Sequence, residues 1–347
     1  MPFQRPLIAP IANPLLEQAL RQKLKRRSET TGSLGELEPL AVRLGLIQNT
    51  LKPAFHLPQL VLFAGDHGLA VNGIGTSQRS TSELVEAVLT LRMPVSVFAR
   101  IQGLQLSIVD SGVAETLRPH ARLLARKIAH GTRSARSGAA MSHDQVSAAV
   151  RAGMEFARSL AGNAVACAGI GVGSHESATL VLARLSGIDL GSLLGIGGLA
   201  TDLPTERLLA MLHGSQSRHK DVTEPLAVMA AFGGFEMAMM VGLMLVAASE
   251  RHLIVVDGMA ACAALLVASR LAPAVTDYCV HCRSHGHKGL DAALALFNAS
   301  ALLELGIEST DGTGAALAWP MVRSAAALLT EVADGEEPGP TLPGTLS

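Results

Sequence analysis

The sequence is poor in aromatic residues, in charge and in cysteine, and each shortage excludes something. Aromatic residues are 3% of the 347, with one Trp, one Tyr and eight Phe. Ala, Leu, Val and Met must therefore fill the interior, and such small side chains suit helices packed closely on a sheet. Charged residues are 16% and almost cancel, 28 Lys and Arg against 29 Asp and Glu. The net charge of −1 gives no strong field to recruit nucleic acid or an anionic membrane. The one basic run, Arg21, Lys23, Lys25, Arg26 and Arg27, sits in a polar helical pattern and reads as a solvated helix face. Four cysteines, Cys167, Cys262, Cys279 and Cys282, make no disulfide framework. The N-terminal MPFQRPLIAPIANP is broken by prolines and lacks the apolar core of a signal peptide. A cytoplasmic location is the expectation.

What the chain does have is length and apolar content. It exceeds the size at which single cores usually stop growing, so one large domain with an appendage, or two domains, is expected. Hydrophobic residues reach 49%, ample for a sizeable core. The stretch LAVMAAFGGFEMAMMVGLMLVAA, Leu226 to Ala248, has the length of a membrane span. Glu236 lies in its middle, and a carboxylate is expensive in lipid. The reading is a buried core helix.

Several short apolar runs end in Gly or a polar residue. They are Leu60 to Ala64, Leu104 to Val109, Ala164 to Ala168, Leu193-Leu194, Leu253 to Val256 and Val275 to Val280. Helical patterns separate most of them: Ser82 to Ala99, Ser142 to Leu160, Thr205 to Leu212, Pro225 to Ala248 and Met259 to Leu271. Ser142 with Gln145 has capping-box spacing. Alternation of strand and helix argues for an α/β fold with a parallel sheet covered on both faces. Ligands of such sheets bind beyond the carboxyl ends of the strands. The first fifty or so residues and the stretch after Gly314 read as helical, with Pro320 expected to kink the second. Residues 1–50 and 321–347 are expected to form a small helical domain and tail, and 51–320 the α/β domain.

Three loops carry candidate chemistry. Gly169 to Ser174 and Gly195 to Gly198 resemble phosphate cradles, in which glycine lets backbone amides approach an anion. Neither is a Walker A, and GIGVGS lacks the last glycine of a dinucleotide fingerprint, which disfavours a nicotinamide-dependent dehydrogenase. Asp66-His67 after a strand is either an acid–base pair or a tight turn. Cys279, His281, Cys282, His285 and His287 crowd into nine positions without a second ligand pair, so no metal site is expected. Asp311 precedes Gly312-Thr313-Gly314, where it is either a helix cap or a reactive group.

Together these pieces resemble the nicotinate-nucleotide:dimethylbenzimidazole phosphoribosyltransferases of cobalamin lower-ligand assembly. The match runs in order through Gly32-Ser33-Leu34-Gly35, Ala64 with Asp66-His67-Gly68, Gly131-Thr132, Gly233-Gly234-Phe235-Glu236, Asp257-Gly258 and Asp311-Gly312-Thr313-Gly314. The resemblance implies a Rossmann-like parallel sheet with a smaller helical domain. It implies a homodimer, or a heterodimer with a paralogue, and no cofactor. The implied substrates are nicotinate mononucleotide and an aromatic base. Asp311 stands where the family has its proton-accepting glutamate, one methylene shorter. Asp66, His67 and Ser77 would line the base pocket. Gly173, Ser174, Thr179, Gly197, Arg207, Asp257, Gly312 and Gly314 would surround the nucleotide. Val172 and Leu208 replace a family glutamate and lysine, which motivates the alternative of a non-catalytic, nucleotide-binding paralogue or partner subunit.

Overall fold

The computed structural model describes residues 3–70, 79–195, 203–283, 288–307, 309 and 311–332. Contacts divide the chain into two compact units. One holds the described residues up to Pro10 together with His56–Trp319, and the other holds Ile11–Phe55 with the described residues from Pro320 on.

The larger unit is built on seven parallel strands: β1 (Gln59–Gly65), β2 (Gln105–Gly112), β3 (Leu123–Ala125), β4 (Ala164–Ile170), β5 (Leu253–Val256), β6 (Cys279–Arg283) and β7 (Ala301–Leu303). Their order is β3-β2-β1-β4-β5-β6-β7, and every neighbouring pair is parallel. β1, β4 and β5 are buried along their whole length, as strands covered on both faces must be. The chain winds outward from β1 to β3, then returns to place β4 on the other side of β1. This reversal opens a crevice at the carboxyl ends of β1 and β4, the usual ligand position in such sheets.

The helices that cover this sheet differ from the sequence pattern at identifiable breakers. The single helix expected over Ser82 to Ala99 is two, α3 (Thr81–Leu89) and α4 (Pro94–Ile101), because Pro94 lacks the amide needed in a helix interior. The helix expected over Pro225 to Ala248 is also two, α9 (Pro225–Phe232) and α10 (Phe235–Ser249), interrupted at Gly233-Gly234. Residues 235–248 of α10 are all buried. Among the described residues no helix is long and apolar enough to cross a membrane. Leu193-Leu194 is not a strand but the end of a short helix, α7 (Leu190–Leu194), whose N-cap Asp189 accepts from Ser192 N. Val275 to Val280 begins as a 3-10 turn, Pro273–Tyr278, with proline at its start, so β6 begins only at Cys279. The Ser142–Gln145 capping box opens α5 (His143–Arg158), with both reciprocal hydrogen bonds present.

Three further helices position the site. They are α6 (Ser174–Ser186), after β4, α11 (Gly258–Leu271), after β5, and α13 (Thr313–Thr330). α8 (Leu203–Arg218) lies between them in sequence. In the smaller unit, α1 (Pro14–Thr31) carries the polar N-terminal pattern, while α2 (Leu37–Gln48) is apolar and buried from Leu40 to Ile47 apart from Arg43. Arg21, Lys25 and Arg26 of the basic run are exposed, but Arg27 is buried and donates to the carbonyl of Leu328.

Candidate active site

The loop after β1 is tied down by Asp66. Its Oδ1 accepts the Thr81 hydroxyl at 2.5 Å and its Oδ2 accepts the Ala114 amide at 2.7 Å. Thr81 Oγ1 in turn accepts the Val172 amide at 3.0 Å. One carboxylate thus joins the ends of β1 and β2, the start of α3 and the loop after β4. Both of its oxygens are engaged by the protein, which gives Asp66 an organising role in the crevice.

His67 points the other way, into the core. Its Nε2 donates to Glu236 Oε1 at 2.7 Å, and neither side chain has exposed surface. Ser174 Oγ donates to the same oxygen at 3.1 Å. Burial alone would lower the pKa of His67, but the Glu236 carboxylate and its hydrogen bond outweigh that and raise it. Glu236 sits in the first turn of α10, where the helix dipole favours negative charge. Its motif Gly233-Gly234-Phe235-Glu236 has a steric cause. A Cβ at Gly234 would lie 2.2 Å from Glu236 Oε2 and 2.3 Å from His67 Cε1. Gly171, in the loop after β4, passes so near β1 that a Cβ would lie 1.8 Å from the Gly65 carbonyl.

Asp311 is both a cap and something more. Its Oδ1 accepts from Thr313 N at 3.2 Å, from Thr313 Oγ1 at 2.6 Å and from the Ser309 hydroxyl. These bonds hold the start of α13. Its Oδ2 is buried and has no hydrogen-bond partner among the described residues. Asp257, at the end of β5, adds a second anchor, accepting the Ala315 amide at 3.0 Å.

Asp311 lines a cavity of about 220 Å³ at the carboxyl end of the sheet. Leu84 and Val88 from α3, Met93 just before α4 and Met259 from α11 make its apolar walls, and Ser174, His175 and Ser309 are the other side chains that can hydrogen-bond there. No Lys or Arg is among the described lining residues. Ligand clefts are usually ~300–1,000 Å³. The cavity suits a flat apolar ring and what is bonded to it.

The structure brings Ser174 and Asp311 to one cavity, and Asp66, His67 and Gly173 to the loops beside it. Asp257, Gly312 and Gly314 lie where α13 begins. Thr179 is buried further along α6, with its hydroxyl unpartnered among the described residues, and does not line the cavity. Arg207 is exposed on α8 and does not line it either. Ser77, Gly197, His285 and His287 lie outside the described residues. No His, Cys, Asp and Glu cluster that could hold a metal occurs among the described residues. Cys279 and Cys282 are buried and donate to the carbonyls of Val275 and Val256. Sequence reasoning overlooked Glu236 as a site residue, although a lone carboxylate in an apolar helix signals a buried polar partner.

A family model described as phosphoribosyltransferase matches residues 9–339. A nicotinate-nucleotide–dimethylbenzimidazole phosphoribosyltransferase from Dechloromonas aromatica is 40% identical over 331 residues, covering 93% of this chain and 95% of that protein. The one from Cupriavidus taiwanensis is 40% identical over 338 residues, covering 95% and 96%. The crystal structure of the Thermus thermophilus protein of that name superposes with a TM-score of 0.85 at 27% identity, covering 92% of this chain and 96% of that one. The chain belongs to the nicotinate-nucleotide–dimethylbenzimidazole phosphoribosyltransferase family.

Proposed function

We propose that this protein transfers phosphoribose from nicotinate mononucleotide to a ring nitrogen of 5,6-dimethylbenzimidazole or a related aromatic base. The products are nicotinate and the α-linked riboside 5′-phosphate used in cobalamin lower-ligand assembly. The observation that carries this reading is the buried Oδ2 of Asp311, unpartnered among the described residues, on a residue that lines a cavity with apolar walls. The base enters the cavity. The lone pair of its unprotonated nitrogen attacks the anomeric carbon. The bond from that carbon to the pyridinium nitrogen breaks, and its electrons return to that nitrogen, so nicotinate departs with a neutral ring and its carboxylate. The proton on the other base nitrogen passes to Asp311 Oδ2. No metal or cofactor is required, because the leaving group is already cationic.

The nucleotide phosphate lies toward Gly173 and Arg207. Asp66 and His67 serve the base pocket by fixing its loops. We place the protein in the cytoplasm as a homodimer or as a heterodimer with a paralogue. The test is product formation from nicotinate mononucleotide, read by mass spectrometry against a panel of bases. Product with dimethylbenzimidazole is the expected result. No product with it, nor with phenolic or purine bases, overturns the assignment.

A second reading, a non-catalytic nucleotide-binding subunit, is favoured by Val172 and Leu208 at positions where the family has charged side chains. It predicts calorimetric binding of nicotinate mononucleotide without turnover, and no rate gain from Asp311→Glu.

A further inference from the structure

Ser174 faces two environments. Its Oγ donates to Glu236 Oε1 at 3.1 Å, and its side chain also lines the cavity that holds Asp311. A carboxylate can only accept, so the single Ser174 proton is committed to Glu236. His67 Nε2 donates to the same oxygen at 2.7 Å. Both His67 and Glu236 are wholly buried, so water does not compete for these bonds. Withdrawing the Ser174 proton would leave the buried carboxylate with His67 as its one donor among the described residues, because Oε2 has none, and that is costly. The hydroxyl therefore offers the cavity lone pairs only.

An acceptor needs a donor, and the two substrates have few. This step rests on the phosphoribosyl-transfer reading. The nicotinate carboxylate and the phosphate are acceptors. A benzimidazole has one N–H, and that proton goes to Asp311. What remains are the ribose hydroxyls. Because Asp311 lines this cavity, the new bond at the anomeric carbon forms beside it. The 2′-hydroxyl is on the adjacent carbon, roughly 2.5 Å away by ordinary bond lengths. We propose that Ser174, fixed as an acceptor by Glu236 and His67, receives the ribose 2′-hydroxyl of the nucleotide and makes the site selective against 2′-deoxyribonucleotides.

The test compares nicotinate mononucleotide with its 2′-deoxy analogue, by calorimetric affinity and by turnover, in the wild-type protein and in variants. The wild type should bind the ribonucleotide about tenfold more tightly, the worth of one well-made hydrogen bond. Ser174→Ala should lose that factor on the ribonucleotide alone, so that the two ligands bind within about twofold. Ser174→Thr keeps the hydroxyl and should keep the preference. Glu236→Gln, whose amide can donate to Ser174, should reduce it. Equal wild-type affinity for the two ligands, or an undiminished preference in Ser174→Ala, overturns the proposal. Binding separates this outcome from the fate of the functional reading. A wild type that binds with the ribose preference but never turns over sinks phosphoribosyl transfer and leaves the Ser174 assignment standing. A wild type that binds neither ligand sinks both.

Discussion

Asp311 shows how one carboxylate can hold a helix with one oxygen and keep the other without a partner among the described residues. Oδ1 takes the hydroxyls and amide at the start of α13, which leaves Oδ2 without a partner among the described residues. Asp311→Asn keeps the size and loses the base, so kcat should fall by roughly 10²–10⁴ while nucleotide affinity measured by calorimetry changes little. Loss of affinity in step with kcat would instead assign Asp311 to ground-state binding. The sequence made Asp311 legible through its Gly-Thr-Gly context, but it could not show that the two oxygens divide their duties. The shorter side chain matters because a ~1 Å displacement of a catalytic group can cost ~100-fold. Glu236 was less legible, since its partners His67 and Ser174 are far away in sequence. Its pairing makes a pH prediction. The folded-state pKa of His67 is raised, so the native state holds that proton more tightly than the unfolded chain does. The contribution is fully present below the ordinary histidine value of about 6.5 and disappears as pH rises through the higher folded value. Urea denaturation should show Glu236→Gln about 3–5 kcal/mol less stable than wild type at slightly acid pH, with the gap narrowing as pH rises. A gap that widens with pH contradicts a protonated His67 in the native state.

At the scale of elements, α5 and α10 lie almost backbone to backbone. A Cβ at Gly153 of α5 would stand 2.0 Å from the Met239 carbonyl oxygen of α10, and the obstacle is backbone, which cannot swing aside. Gly153→Ala should therefore cost about 3 kcal/mol, the upper end of ordinary overpacking, and lower the thermal midpoint by several degrees. An unchanged midpoint would mean that the two helices slide apart freely. The scarcity of aromatics pointed toward such close packing, but not to which helices meet. Strands β1, β2, β4 and β5 were legible as apolar runs ending in Gly or Asp. The short edge strands Leu123–Ala125 and Ala301–Leu303 were not, because three residues carry too little pattern and are held by pairing with a neighbour. The breaks at Pro94 and Gly233-Gly234 were written in the sequence, yet continuous apolar periodicity concealed them.

Across the whole molecule, the candidate site draws on residues that are distant in sequence and meet only because β4 returns beside β1. His67 follows β1, Ser174 opens α6, Glu236 opens α10, and Asp311 precedes α13. No local segment contains enough of these groups to work alone. The strand–helix alternation foretold a parallel sheet, but the reversal of strand order is a three-dimensional fact that one sequence does not state. This dispersal predicts how activity should be lost. Trp319 is the single tryptophan, lies in the larger unit on the same helix that Asp311 caps, and is buried. Its fluorescence therefore reports on the environment of α13 as the larger unit unfolds. Phosphoribosyl transfer and Trp319 fluorescence should fall together in urea, with coincident midpoints, since the groups that make the cavity and those that bury Trp319 belong to one cooperative unit. Activity lost well before the fluorescence changes would show that the crevice loops open in a separate step of low free energy, and the site would then be a locally ordered assembly rather than a consequence of the sheet.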